Sequence, residues 1–117
     1  MQVYRTDGLW YSAEYSTFSI SDEASKYQLT VNGYSGDAGD ALAVSHLLIY
    51  ISNGMKFSTP DSDNDEWAGG SCASDQAGGW WFKHCSVSAI NVQGRARWTT
   101  VGAARNVKAS RMMVKLV

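Results

Sequence analysis

Residues 58–72 read Ser-Thr-Pro-Asp-Ser-Asp-Asn-Asp-Glu-Trp-Ala-Gly-Gly-Ser-Cys, and this stretch decides the fold. Carboxylates stand on alternate residues at Asp61, Asp63 and Asp65, and a second cysteine, Cys85, follows shortly after. Such concentrated negative charge is costly unless a cation neutralises it, and oxygen ligands at this spacing suit Ca²⁺ better than Zn²⁺. A solvated acidic turn is the alternative, because Asp, Asn, Ser and Gly all favour turns.

The stretch does not match an EF-hand loop. Counting from Asp61 puts Glu66 where the loop needs glycine and Cys72 where it needs a bidentate glutamate, and a count from Asp63 fails at the same two positions. The cation interpretation therefore predicts an irregular loop. In such a loop two aspartate side chains and a few backbone carbonyls would surround the ion, and Gly69 and Gly70 would help the chain to turn back.

Several segments together resemble the C-terminal part of a fibrinogen-like domain, a family that includes ficolins, tachylectins, tenascins and angiopoietins. The resemblance covers most of the chain and is specific. It is carried by residues 15–18, 27–29, 33–42, 53–59, 61–65, 72–73 and 79–81 and by Cys85. It implies an α+β fold, in which a twisted antiparallel sheet adjoins a loop-rich calcium-binding subdomain, and it implies binding rather than catalysis.

The resemblance also implies a domain organisation. Residues 1–117 are interpreted as one partial domain, with residues 1–50 and 106–117 in the sheet part and residues 51–105 in the calcium and ligand-pocket part. Because family domains begin well before the segment that matches residues 15–18, we expect an N-terminally truncated domain.

Site residues follow from the same resemblance. Asp63 and Asp65 are expected to bind Ca²⁺ through their side chains, and Trp67 and Gly69 through their backbone carbonyls. Two carboxylates provide little formal charge, so we expect weak affinity, with a dissociation constant of about 0.1 to 1 mM.

A ligand pocket is expected beside the cation loop, with Asp75, Gln76, Ser86 and Trp98 as candidate contacts. Lectin-type relatives carry a histidine after the second cysteine, where this chain has Ser86, and an aromatic residue at the position of Gln76. These departures weaken the expectation that the pocket binds acetyl groups. Of the tryptophan pair at residues 80–81, one ring is expected in the core and the other half-exposed.

Two cysteines separated by twelve residues match no redox or zinc motif, and the residues alone leave free thiols or a disulfide open. The resemblance implies a Cys72–Cys85 disulfide and an extracellular location. Residues 1–7 show no basic-then-apolar leader.

Composition indicates a folded aromatic core, because hydrophobic residues make up 44% of the chain and five tryptophans are present. Charge is unevenly distributed: residues 1–75 carry eleven acidic and three basic side chains, and residues 76–117 carry seven basic and none acidic. The basic residues are spread out and no nucleic-acid motif accompanies them, so a solvated face is expected.

Apolar–polar alternation predicts strands over residues 8–20 and 27–31, joined by a polar turn at 21–24, and a final strand over 109–117. The resemblance implies a surface loop over the glycine-rich residues 33–40, and the composition of the later loop segment leaves one helical turn at residues 72–76. The apolar run at residues 41–51 is too short to span a membrane. It predicts a buried strand or short helix, and it is longer than the corresponding connection in the family.

These observations predict a calcium-dependent extracellular recognition module that binds glycans or other surface ligands in innate defence. A protein–protein interaction domain of angiopoietin, tenascin or fibrinogen type is the alternative, and a nonfunctional fragment is a third possibility. We expect glycans or surface proteins as partners, no nucleic acid, and an oligomer if a longer product exists. Neither His46 nor His84 lies in a catalytic motif, so no enzyme is predicted.

Overall fold

The computed structural model describes residues 1–45, 47–101 and 107–116. Within these ranges a four-stranded antiparallel sheet has the strand order β3-β2-β1-β6, and a second sheet pairs β4 with β5. The strands are β1 (Gln2–Arg5), β2 (Trp10–Ile20), β3 (Leu29–Gly36), β4 (Ser88–Ala89), β5 (Arg97–Trp98) and β6 (Val107–Arg111).

The hairpin of β2 and β3 is the longest pairing, with Cα partners from Ala13 and Gly36 at one end to Ile20 and Leu29 at the other. The predicted strand at 8–20 is confirmed. The strand predicted at 27–31 continues to Gly36, so the surface loop predicted from residue 33 is wrong in its first half. Gly33 has φ +70°, and a Cβ at this position would collide with the hydroxyl of Ser16, so glycine is required within the strand.

The hairpin connection is polar, as predicted, and contains a 3-10 turn at Glu23–Ser25. Asp22 precedes the turn, and its Oδ1 accepts a hydrogen bond from the backbone N–H of Ser25 at 3.0 Å. This side-chain cap satisfies a donor that the short turn would otherwise leave free.

Both remaining strands of the large sheet lie near the ends of the chain. β1 pairs antiparallel with β2 on one side and with β6 on the other. The predicted C-terminal strand exists but lies earlier than expected, at Val107–Arg111, and residues 112–116 are not in a strand. β1 was not predicted, because its four residues are too few to show a period.

The apolar run at residues 41–51 is not the buried strand or short helix that its composition predicts. Among the apolar residues of this run that the structure describes, only Ala41 and Leu42 are buried; Val44 is 62% exposed and Leu48 is 72% exposed. The segment contains turns and a 3-10 turn at Leu48–Tyr50. No helix in the described ranges is long and apolar enough to cross a membrane.

Residues 51–101 contain little regular structure beyond the small β4–β5 sheet and one α-helix. The helix, α1 (Cys72–Gln76), lies where one helical turn was predicted. Its N-cap is Ser71, whose hydroxyl accepts from the N–H of Ser74 at 3.2 Å, and Ala77 in the left-handed region ends it at φ 53°. The helix is therefore defined by its caps rather than by its length.

The core joins the sheet to the loops in one cluster. Trp80, Trp81, Phe82 and Trp98 form its largest part, and Val3, Ala13, Leu29 and Val31 contribute from the sheet. Both rings of the tryptophan pair are buried, so the predicted half-exposed ring is wrong. Trp81 explains why: it packs edge-on against Phe18 of β2 at 6.1 Å, and its indole N–H donates to the carbonyl of Tyr27 at 2.9 Å.

Candidate cation loop and neighbouring pocket

The cation loop, residues 58–72, begins with a tight turn that holds Asp61. Thr59 and Ser62 exchange two backbone hydrogen bonds of 3.0 Å, and the Thr59 hydroxyl donates to Asp61 Oδ1 at 2.6 Å. This hydrogen bond lowers the pKa of the Asp61 carboxyl below its ordinary value. Asp61 is thus bound within its own turn.

Asn64 attaches the middle of the loop to the core. Its amide nitrogen donates to the carbonyl of Phe57 at 2.9 Å, and its backbone N–H donates to the hydroxyl of Ser58 at 2.9 Å. Ser58 is fully buried and exchanges backbone hydrogen bonds with Trp80. These hydrogen bonds therefore attach the first half of the loop to the buried core at Ser58 and Asn64.

Asp65 organises the second half of the loop. Its Oδ1 accepts from the N–H of Trp67 at 2.9 Å, and its Oδ2 accepts from the N–H of Cys72 at 2.8 Å. Asp63 lies directly beside it, because Asp63 Oδ1 accepts from the N–H of Asp65 at 3.2 Å. An ionised carboxylate has about four lone-pair sites, so both carboxylates retain free acceptor capacity.

The donor set around this pair fits Ca²⁺. Residues 67–70 form a turn in which Gly70 N–H donates to the Trp67 carbonyl at 3.3 Å. In the part of the chain that the structure describes, no three His, Cys, Asp or Glu side chains cluster as metal ligands. Two carboxylates supplemented by carbonyl oxygens suit a hard cation, and they provide no nitrogen or sulfur ligand of the kind that zinc prefers.

The disulfide lies immediately beside the loop. Cys72 and Cys85 are bonded, with their Cα atoms 5.2 Å apart, and the Asp65 carboxylate reaches the backbone of Cys72. A second connection is a hydrogen bond that the N–H of Glu66 donates to the carbonyl of Lys83 at 2.8 Å. Cys85 has φ 56°, a conformation that few non-glycine residues adopt. The loop and the segment that leads to Cys85 therefore form one structural unit.

His84 contributes to this unit in a way that the sequence did not reveal. Its ring lies 5.8 Å from that of Trp67, and its backbone N–H donates to the carbonyl of Ile49 at 2.9 Å. The contact connects the exposed apolar segment at residues 47–49 with the cation loop. No motif around His84 indicates this role; only its position next to Cys85 brings it near the loop.

The four predicted pocket residues differ in accessibility. Asp75 is exposed and forms an ion pair with Arg95 at 3.0 Å, whereas Gln76 is only 6% exposed. Ser86 is buried and its hydroxyl donates to the carbonyl of Ser88. Trp98 is fully buried, and its indole N–H donates to the Gly39 carbonyl at 2.8 Å. Of the four, only Asp75 lies on the surface.

Arg97 is a buried cation next to Ser86, and it was not predicted. Its Nε and Nη2 both donate to the Ser86 carbonyl, at 3.1 and 2.9 Å, and its Nη1 donates to the carbonyl of Arg95. Burial lowers its pKa to about 10. The guanidinium fixes the backbone after Cys85, and a sequence pattern could not distinguish this arginine from the exposed ones.

Fold and loop together define a class of protein. The chain matches the family described as fibrinogen beta and gamma chains, C-terminal globular domain, over residues 1–110. It therefore belongs to this family, and its fold is that of a fibrinogen C-terminal domain.

Individual relatives agree with this assignment. The chain is 42% identical over 98 residues to the fibrinogen beta chain of Gallus gallus, covering 74% of this chain and 21% of that protein. It is 46% identical over 82 residues to a techylectin-like protein of Phoneutria nigriventer, covering 69% of this chain and 33% of that protein. A lamprey fibrin D-dimer, solved with the peptide ligand Gly-His-Arg-Pro-amide, superposes with a TM-score of 0.71 at 31% identity, covering 77% of this chain and 30% of that chain. The 117 residues thus correspond to a third or less of each of these proteins.

Proposed function

We propose that the chain is a calcium-dependent recognition module in which Asp63 and Asp65 bind the ion together with the carbonyls of Trp67 and Gly69. The bound ion would supply positive charge that neutralises the two adjacent carboxylates. The protein contributes a preformed loop, because Asp65 is already oriented by the N–H groups of Trp67 and Cys72. This orientation is the single observation that carries the proposal.

The charges around Asp63 and Asp65 also support the proposed cation site. The ion pair nearest in sequence joins Lys83 to Glu66 at 4.0 Å. Neither Asp63 nor Asp65 forms an ion pair with a described Lys or Arg side chain. Like charges this close repel each other, and a divalent cation relieves the repulsion.

Recognition of a surface ligand would take place beside the loop. The disulfide and the Glu66–Lys83 hydrogen bond connect the loop to residues 83–86, so an ion that stiffens the loop also stiffens this neighbouring surface. We propose glycans as the ligands, in keeping with the similarity to a techylectin-like protein, and an extracellular setting, in which the disulfide persists.

A protein or peptide ligand is the second candidate. Its support is the similarity to a fibrin D-dimer solved with a bound peptide, together with the identities of Gln76 and Ser86, which provide no aromatic ring to contact an acetyl methyl group at those positions.

Terbium luminescence tests the cation site. Tb³⁺ substitutes for Ca²⁺ at oxygen sites, and Trp67 within the loop would sensitise its emission. We expect emission from the oxidised chain that Ca²⁺ displaces at about 0.1 to 1 mM. Asp63→Asn should weaken Tb³⁺ binding about tenfold, because it removes a formal charge and keeps an acceptor oxygen in place of the original Oδ1.

Asp61→Asn is the matched control. It removes the same charge from the same loop, but Asp61 is engaged by Thr59 in a separate turn, so Tb³⁺ binding should change by less than about twofold. An absence of emission from the unmodified chain, or equal losses in the two variants, would refute the site.

Retention on N-acetylated resin, compared with the same resin without acetyl groups, separates the two ligand classes. Retention that a chelator releases and that Asp63→Ala abolishes supports the glycan candidate. Failure to bind resin while Tb³⁺ still binds would leave the protein-ligand candidate, and failure of both would indicate a nonfunctional fragment.

A further inference from the structure

Two Asn-Gly pairs occur in the chain, and the structure holds them in different ways. Asn32 precedes Gly33 within β3, and Asn53 precedes Gly54 in the loop that borders the same strand. Asparagine followed by glycine is prone to spontaneous loss of the side-chain amide, because glycine has no Cβ to hinder attack by its own backbone nitrogen. In a folded chain the reaction depends on how each pair is hydrogen-bonded.

Asn53 and Gly54 are held by different partners on β3. The Oδ1 of Asn53 accepts from the N–H of Val31 at 2.9 Å, and the N–H of Gly54 donates to the carbonyl of Leu29 at 2.8 Å. Asn53 is also partly buried. The carboxamide and the backbone nitrogen that would attack it are therefore each fixed elsewhere.

At Asn32 and Gly33 the corresponding two groups are bonded to each other. The N–H of Gly33 donates to the Oδ1 of Asn32 at 2.8 Å. Both residues are exposed. The backbone nitrogen of Gly33 thus lies within hydrogen-bond distance of the side-chain carboxamide that it would attack.

The direction of the backbone N–H groups in β3 accounts for this local hydrogen bond. Leu29 and Val31 direct their N–H groups away from β2, to the Met55 carbonyl and to Asn53 Oδ1. Because these directions alternate along an antiparallel strand, the N–H of Gly33 belongs to the same outer edge. There it donates to the side chain that precedes it.

The strand also requires glycine at position 33. Gly33 has φ +70°, and a Cβ there would collide with the hydroxyl of Ser16. The β2–β3 ladder is interrupted at Ser16 and Gly33, although its register is the same on both sides. The fold therefore keeps next to Asn32 the residue that leaves an asparagine most reactive.

We propose that Asn32 is a site of spontaneous deamidation and isoaspartate formation. The Gly33 nitrogen gives its proton to base and bonds to Cγ of Asn32, and the carboxamide nitrogen takes up a proton and leaves as ammonia. Water then opens the succinimide ring. Cleavage of the ring bond at Cγ gives aspartate, and cleavage at the backbone carbonyl carbon gives isoaspartate. Water is the only co-reactant, and the reaction does not depend on calcium.

The two products affect the hairpin differently. Aspartate adds a negative charge at an exposed position and leaves the main chain unchanged. Isoaspartate also inserts a methylene into the main chain of β3, ahead of Tyr34. Tyr34 pairs with Tyr15, and its hydroxyl donates to the Gly36 carbonyl and accepts from the N–H of Gly39. A shift of register moves side chains between faces, so isoaspartate should weaken this end of the hairpin.

Mass spectrometry of the folded, oxidised chain tests the proposal. The chain is incubated at mildly alkaline pH in water enriched in oxygen-18 and is digested in ordinary water, so only hydrolysis in the folded chain carries the label. We expect Asn32 to react at least about tenfold faster than Asn53, because two hydrogen bonds must open before Asn53 can react. Electron-transfer fragmentation distinguishes isoaspartate from aspartate.

Two synthetic peptides, residues 28–37 and residues 49–58 of the chain, control for sequence. Without folded structure the two Asn-Gly pairs should react at similar rates. The folded chain should slow Asn53 relative to its peptide, whereas Asn32 should react no more slowly than in its own peptide.

Variants at position 32 separate the charge from the change in the main chain. Asn32→Gln keeps a carboxamide but must close a larger ring, so no product should accumulate there while Asn53 reacts at its ordinary rate. Freshly purified Asn32→Asp carries the charge on a normal main chain, and its urea midpoint should change little because the position is exposed. The isoaspartate form, separated from the aged chain by ion exchange, should unfold at a lower urea concentration than Asn32→Asp.

Each outcome supports or overturns the proposal. Strong slowing of Asn32 relative to its peptide would show that the strand protects it and would overturn the proposal. Equal rates at Asn32 and Asn53 in the folded chain would do the same, because the hydrogen bonds would then not control the reaction. Equal urea midpoints for the isoaspartate form and Asn32→Asp would contradict the predicted effect on the hairpin.

Discussion

The sheet region, formed by β1, β2, β3 and β6, and the loop region, residues 51–101, are stabilised in opposite ways. The sheet region has long backbone ladders but leaves apolar side chains in solvent, among them Trp10 and Ile20 of β2. The loop region has little regular structure, yet it buries Trp80, Phe82 and Trp98 almost completely. Regular secondary structure and tight packing are therefore separate properties, and in this chain the irregular part buries more of the large aromatic side chains.

The largest expected effect tests where the packing lies. Phe82→Ala should lower the free energy of unfolding by about 3 to 5 kcal/mol, because Phe82 is fully buried and its removal leaves a cavity. Phe18→Ala in the sheet region should cost less, because Phe18 is only partly buried. Urea unfolding measures both. Equal losses would remove the proposed contrast between the two regions.

The disulfide provides the next largest effect. Replacing Cys72 and Cys85 together by serine should destabilise the chain by about 3 kcal/mol, the value expected for closing a loop of this length. Hydrogen exchange followed by mass spectrometry should show faster exchange at residues 66–85 and a smaller change along the β2–β3 ladder. An equal increase in the rate of amide hydrogen exchange throughout the chain would mean that the two regions unfold together.

The smallest effect concerns a single turn. Thr59→Val removes the hydroxyl that donates to Asp61, so the pKa of Asp61 should rise towards its ordinary value. The folded-state pKa of Asp61 is lowered, so its stabilising contribution is present above the ordinary carboxyl pKa and is lost as pH falls through the folded value.

Carbon-13 NMR titration of the Asp61 carboxyl measures this change. Thr30→Val, at an exposed position on β3, is the control and should leave the titration unmoved. An unchanged titration in the Thr59 variant would show that the hydroxyl is not what holds the Asp61 carboxylate.

The two regions also differ in how well the sequence predicts them. β2 was predicted because its aromatic and small polar residues alternate, although the side chains that pack on the core change face between Tyr15 and Phe18. The segment 41–51 was misread because a continuous apolar run has no period, and hydrophobicity alone cannot tell whether a partner surface exists.

In the loop region, prediction succeeded where a local residue type has a fixed role. One helical turn was expected at residues 72–76, where α1 lies, and family resemblance implied the disulfide that the structure contains. The sequence did not reveal that Arg97 is buried. Nothing in the residues around it distinguishes an arginine that donates to the Ser86 carbonyl from an exposed one. The calcium ligands themselves stay a prediction.

The double role of Asp65 affects how evolutionary records of this domain should be read. Its carboxylate closes the loop onto the backbone of Trp67 and Cys72 even without an ion, so selection for a folded loop alone would preserve it whether or not a metal binds. Asp63 is exposed and makes one weaker contact, so only the proposed metal binding would constrain it. In a future alignment of paralogues, position 63 rather than position 65 is therefore the diagnostic column.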